Sequence, residues 1–167
     1  MKCPFDAFSF FALHNEAMKK LFVYYSLSGN GEALAKLFAE RGYTLLKLET
    51  VKPIGKMNFF KMVHYGGKAT FHKKAKLQPY LFNEEGDMKL VICSPVWADR
   101  FATPLNTFLA DHPLKNPHPI FIFNSMGGSC KKGKAEILKR YPSATCYDIK
   151  NASQNGEEAK RLADLLS

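Results

Sequence analysis

The sequence predicts an α/β protein built on a five-stranded parallel sheet with helices on both faces. Two observations carry that prediction. Five apolar runs of strand length alternate with stretches of helical periodicity. The runs Leu90–Ser94 and Pro119–Asn124 are almost continuously apolar rather than alternating, as strands covered on both faces are. A chain of 167 residues supplies one domain with a real core and is too short for two comfortable ones.

In chain order, the first strand is expected over Lys20–Tyr25. A helix over Asn30–Arg41 follows, with Leu34, Leu37 and Phe38 on one face and Gly42 as its stop. Tyr43–Leu48 reads as the second strand. The segment Val51–Asp87 is longer than an ordinary connection and should hold structure of its own; a short helix over Met57–His64, ended by Gly66-Gly67, is expected there. Leu90–Ser94 is the third strand. It is followed by a turn, P-V-W-A-D-R, and a helix over Thr103–Ala110 with Leu105, Phe108 and Leu109 inward. Pro119–Asn124 is the fourth strand and Lys131–Arg140 a basic helix. Ala144–Ile149 is the last strand, and Glu157–Leu166 an amphipathic closing helix. Residues 1–18 read as an N-terminal extension and 19–167 as the domain, so that Met18-Lys19-Lys20 would make a natural start.

Composition narrows the class further. Hydrophobic residues make up 46% and charged residues 23%, as in an ordinary soluble protein. No run approaches the ~20 apolar residues of a membrane span. The apolar stretch Phe8–Leu13 is too short for a secretory signal, is approached through Asp6, and has no small-x-small cleavage site after it. Cys3, Cys93, Cys130 and Cys146 lie far apart with no C-x-x-C pair, which fits scattered thiols in a reducing cytoplasm. The five histidines show no zinc-ligand spacing with them, so no metal site is expected.

The net charge is +9. From Thr50 to Asn83 there is no acidic residue, yet Lys52, Lys56, Lys61, Lys68, Lys73, Lys74 and Lys76 all fall there; Lys131, Lys132, Lys134, Lys139 and Arg140 form a second run. Such runs are either a solvated face or a field that steers an acidic redox partner or a phosphorylated nucleotide. Nucleic acid is not expected, because charge is the only feature pointing to it. His64 and His72 lie in the first basic run, where a surface position or a pH-sensitive role are the alternatives.

Parallel strands with right-handed crossovers bring their carboxyl ends to one edge, where ligands bind at the switch point of strand order. Three unusual loops fall at that edge: Ser26–Gly31, Ser94–Arg100 and Asn124–Cys130. The first, S-L-S-G-N-G, opens a helix and so suits a phosphate, because unpaired amides and the helix dipole both favour an anion there. Alone it is equally a strand-to-helix turn, and it is neither a G-x-G-x-x-G fingerprint nor a Walker A motif. The run Gly128–Ala135 fits G-x-x-x-x-G-K, but Ala135 stands where a magnesium-binding hydroxyl is needed. In the second loop Trp97, the only tryptophan, is either core packing or a stacking surface for a planar ring. Asp99 and Arg100 follow it, either lining a site's open edge or pairing with each other. In the third loop Gly127 and Gly128 allow backbone amides to approach a ligand.

Taken together, these three loops resemble those of the flavodoxin family, over nearly the whole chain from Lys19 onward. The first loop is similar to the family's [ST]-x-[ST]-G-N-[ST] phosphate loop, except that Gly31 replaces the last hydroxyl residue and leaves its amide available. S-P-V-W is similar to the segment that sets an aromatic ring against the isoalloxazine, and S-M-G-G to the turn near the pyrimidine side. The stretch from Gly66 to Leu109, including A-x-P-x-x-x-F-L from Ala102, also resembles bacterial flavodoxin-like proteins. The resemblance implies a three-layer, doubly wound sheet of order 2-1-3-4-5 and FMN as cofactor. It implies that Ser26, Leu27, Ser28, Gly29, Asn30 and Gly31 hold the phosphate. Ser94, Pro95, Val96, Trp97 and Ala98 would meet the ring, and Asn124, Ser125, Met126, Gly127 and Gly128 its pyrimidine side.

The function implied is electron transfer through the flavin, with a redox protein, acidic by complementarity, as partner. One alternative is an FMN-dependent NAD(P)H oxidoreductase acting on quinone-like acceptors. Another is a flavodoxin-fold binding protein that has lost FMN, which the Gly31 change keeps open. Monomer and homodimer are both compatible with the sequence, and no catalytic acid, base or nucleophile stands out.

Overall fold

The computed structural model describes residues 18–52, 59–84 and 88–167. The predicted N-terminal extension, apart from Met18, lies outside these residues, as do Cys3, Lys56 and the expected helix start at Met57. The chain builds β1 (Lys20–Tyr24), α1 (Asn30–Ala39), β2 (Thr44–Lys47), α2 (Phe59–Thr70), β3 (Lys89–Trp97) and β4 (Arg100–Phe101). There follow α3 (Thr103–Asp111), β5 (Ile120–Ser125), α4 (Lys131–Arg140), β6 (Thr145–Lys150) and α5 (Gly156–Leu165). Five strands pair in parallel in the order β2-β1-β3-β5-β6, and β4 folds back antiparallel on β3 outside that path. Counted among the parallel strands alone, this is the predicted order 2-1-3-4-5.

Strand periodicity explains the three layers. Successive side chains of β1 point to opposite faces. Phe22 joins Leu34 and Phe38 of α1 and Ala159 and Ala163 of α5 on one face. Val23 joins Leu105 and Phe108 of α3, Ile137 of α4 and Ala69 of α2 on the other. In α1 the buried positions Gly31, Leu34, Ala35 and Phe38 follow the i, i+3, i+4, i+7 spacing of an apolar stripe. Gly42, at φ 81°, supplies the left-handed turn after that helix.

Two sequence expectations are corrected. The helix expected over Met57–His64 instead runs on through Gly66-Gly67 to Thr70. Gly66 does not end it but lets it pack, because a Cβ there would lie 3.3 Å from the Cβ of Ala98. The segment P-V-W-A-D-R is not simply a turn: β3 continues through Pro95 to Trp97. Pro95 is tolerated because the β1–β3 register ends at Tyr24–Cys93, so no β1 residue pairs with it, while its carbonyl accepts the Ala102 amide at 3.1 Å. The actual reversal is the two residues Ala98 and Asp99, both left-handed at φ 50° and 60°, joining β3 to β4. No helix among the described residues is long and apolar enough to cross a membrane.

Phe38 is fully buried, stacks on Phe22 at 4.4 Å and meets Tyr43 edge-on at 5.0 Å. Phe38→Ala is expected to cost about 3–5 kcal/mol, measured by urea unfolding of the two proteins.

Candidate functional site

A cavity of about 420 Å³ opens where β1, β3 and β5 end. The three predicted loops form its walls. Of the predicted residues, all but Gly29, Ser94 and Gly128 line it. Gly29 makes the left-handed turn into α1 at φ 85°. Ser94 is fully buried and accepts the Ala102 amide at 3.1 Å, tying the β4 return to β3. Gly128, at φ 72°, backs onto the methylenes of Lys150. The cavity also gathers Tyr25, Cys93, Asp99 and Ser129. Of these, Asp99 was legible from sequence; Tyr25 and Cys93 were not, being ordinary strand residues until β1 and β3 are set side by side.

The first loop is tied down by its own polar groups. The Gly31 amide donates to Ser26 Oγ at 3.1 Å, so it is not the free donor the sequence suggested. A Cβ at Gly31 would lie 2.7 Å from Ser26 Cβ and 3.1 Å from the Tyr25 carbonyl oxygen. Glycine here is thus a steric requirement. Asn30 Oδ1 accepts from the Ser153 amide at 2.9 Å and hydroxyl at 2.6 Å, while its Nδ2 donates to Ser28 Oγ at 3.2 Å. These bonds join the loop to the β6–α5 connection. The amides of Ser28, Gly29 and Asn30 find no acceptor among the described residues, leaving a cluster of donors at the α1 N-terminus.

Behind the loop, Lys47 Nζ lies 3.2 Å from Glu32 Oε1 and 3.6 Å from Glu49. Burial pushes the Glu32 carboxyl up, but the Ser26 hydroxyl, its own amide and Lys47 outweigh it and hold it below the usual carboxylate range. Glu32 is therefore ionised at neutral pH.

The second wall is aromatic. Trp97 is only 9% exposed, with Tyr25 edge-on at 6.0 Å and Tyr65 of α2 tilted against it at 5.5 Å. Lys68 Nζ lies 5.2 Å from the centre of the Tyr65 ring. Trp97 is thus packed into the core and also lines the cavity. Burial, reinforced by Tyr65 and Glu32, pushes the Tyr25 phenol up to about 12, and burial likewise pushes the Cys93 thiol up to about 12. Neither ionises at neutral pH, so this wall offers no nucleophile.

In the third wall, Asn124 is 4% exposed; its Oδ1 accepts the Ala152 amide at 3.5 Å and its Nδ2 has no partner. A buried donor left unpaired costs about 1–3 kcal/mol, and this one belongs to a residue lining the cavity. The arrangement suits a ligand that brings an acceptor to Asn124, a planar ring to Trp97 and an anion to the α1 amides.

Neighbouring charges are otherwise satisfied. Asp99 accepts the amides of Lys131 at 2.7 Å and Lys132 at 3.3 Å, capping α4. Arg100 pairs with Glu136 at 2.6 Å, so Asp99 and Arg100 do not pair with each other, and His72 Nδ1 lies 3.1 Å from the same carboxylate. The Walker-like run is mostly helix: Gly133 lies inside α4, where a Cβ would overlap Cys130 Sγ, and Lys134 pairs with Asp148 at 2.6 Å. His64 is exposed. Cys93, Cys130 and Cys146 are free thiols, and no cluster among the described residues could hold a metal ion.

No protein-family model and no curated protein matches the chain. Several solved structures do. A flavoprotein from Lactobacillus acidophilus, crystallised in complex with FMN, matches with a TM-score of 0.64 at 20% identity, over 84% of this chain and 98% of that one. A protein from Bacteroides uniformis described as a flavoprotein gives 0.64 and 20%, covering 88% and 98%. Another from Bacteroides eggerthii gives 0.62 and 19%, covering 89% and 97%. The likeness establishes the fold, a doubly wound flavodoxin-like α/β sheet.

Gly31→Ser would supply the hydroxyl that the flavodoxin phosphate loop carries at this position but force Ser26 aside. It is expected to lower stability by about 1–3 kcal/mol, read by urea unfolding, and not to tighten binding of any phosphate ligand.

Proposed function

We propose that the cavity binds FMN and that the protein transfers electrons through it. The observation that carries this reading is the unpartnered, buried Nδ2 of Asn124 in a cavity that also joins an aromatic wall to the donors of the α1 N-terminus. The FMN complex among proteins of the same fold supports it. The residues present fit the group. Ser28, Gly29 and Asn30 would hold the phosphate with neutral donors, Trp97 would flank the ring, and Asn124 would donate to its polar edge. When bound, FMN supplies the redox chemistry. The chain contributes binding, orientation and exclusion of water, since its wall-forming phenol and thiol stay neutral.

The net charge of +9 supports an acidic redox protein as partner, because complementary fields raise encounter rates. It also favours an anionic reduced flavin by Coulomb attraction. A redox titration is expected to give a less negative potential than in acidic flavodoxins, and an equally low one would contradict this.

A second reading, an NAD(P)H oxidoreductase, draws on Lys68, whose ammonium stands over Tyr65 next to the Trp97 wall and could meet a nucleotide phosphate. Bleaching of the flavin by NADPH alone, without a reductase, would favour it over the carrier.

The purified protein should be yellow and take up FMN with quenching of flavin fluorescence; a colourless protein that FMN does not bind overturns the reading. Trp97→Ala should weaken FMN by about 1–3 kcal/mol, the scale of a lost aromatic stack. Unchanged affinity in that titration would leave Trp97 a purely structural residue.

A further inference from the structure

We infer that Lys47 and Glu32 form a charge pair that sets how strongly the site prefers a flavin bearing a phosphate over one without it. The inference rests on the FMN reading and concerns its phosphate end. The first loop contains no Lys or Arg, and the donors it presents are backbone amides. Directly after it, in the first turn of α1, stands the ionised carboxylate of Glu32, beside the Ser26 hydroxyl. Its Oε2 is buried without a hydrogen-bond partner.

A phosphate monoester carries about −1.5 to −2 charges at neutral pH. Placed at the α1 N-terminus, it is attracted by the amides and the dipole and repelled by Glu32. The cation that offsets this repulsion comes from another strand. Lys47 closes β2, lies in register beside Tyr24 at the end of β1, and reaches Glu32 at 3.2 Å. Glu49 shares the same ammonium at 3.6 Å, so two carboxylates lean on one lysine. The group therefore carries one net negative charge with Lys47 present and two without it. A flavin lacking the phosphate has no charge at that end and is indifferent to the pair. Lys47 is thus a specificity residue that acts through Glu32, without needing to touch the ligand.

The test compares dissociation constants for FMN and riboflavin, by flavin fluorescence, in the wild-type protein, Lys47→Met, Glu32→Gln and the double variant. Lys47→Met should weaken FMN by about threefold to tenfold, as for loss of a partly exposed charge partner, with riboflavin unchanged. Glu32→Gln should strengthen FMN and again leave riboflavin unchanged. The double variant should return the FMN-to-riboflavin preference to about the wild-type ratio. The two side chains are 41% and 36% exposed, so Glu32→Gln tests the pair independently should Lys47→Met fail to fold. Equal weakening of both flavins, or an unchanged preference in the single variants, overturns the inference while FMN binding itself stands. A wild-type protein that binds neither flavin overturns the FMN reading and this inference with it.

Discussion

The pairing of β1 with β3 is the constraint on which the site depends. Leu21 to Tyr24 stand in register with Leu90 to Cys93, and both strands are buried between helical layers. The chain leaves β1 towards β2 on one side and leaves β3 towards β5 on the other. At that divergence the connections part and leave a crevice at the carboxyl ends. Tyr25 and Cys93, unremarkable in sequence, become neighbours on a cavity wall for this reason alone. The apolar burial that stabilises the sheet also fixes the distance between the first loop and the Trp97 hairpin.

Short backbone approaches then give the crevice its shape. The Gly31–Ser26 contact tightens the first loop into α1, and the Gly66–Ala98 contact seats α2 against the turn that carries Trp97. Tyr65, one residue before Gly66, is thereby laid against Trp97. Helix α2 is therefore part of the site's architecture. The hairpin is held from its other side by Asp99, whose carboxylate caps α4.

Charge is divided between the surface and the site. The protein is strongly basic, but the residues around the cavity are neutral or locally paired: a phenol and a thiol too buried to ionise, an uncharged amide, and Glu32, which shares Lys47 with Glu49. An anion placed at the α1 N-terminus would thus meet oriented dipoles rather than a charged side chain.

The sequence by itself determined the fold class and the three loops that would meet, because strand runs, helical stripes and glycine turns are local patterns, while the strand order came from the resemblance of those loops to the flavodoxin family. It also marked most of the residues that line the cavity. Its local signals misled where packing overrode them. Gly66-Gly67 looked like a helix stop but serves as a contact surface within α2, and Ala98-Asp99 made a hairpin turn without the usual Asn-Gly signature. Only the tertiary structure decided that the Gly31 amide is engaged by Ser26, that Trp97 is at once core and wall, and that Asn124 keeps an unpaired donor. Likewise, only the register of β2 on β1 brings Lys47 to Glu32. Each of these depends on residues distant in the chain meeting within a few ångströms, which no local pattern encodes.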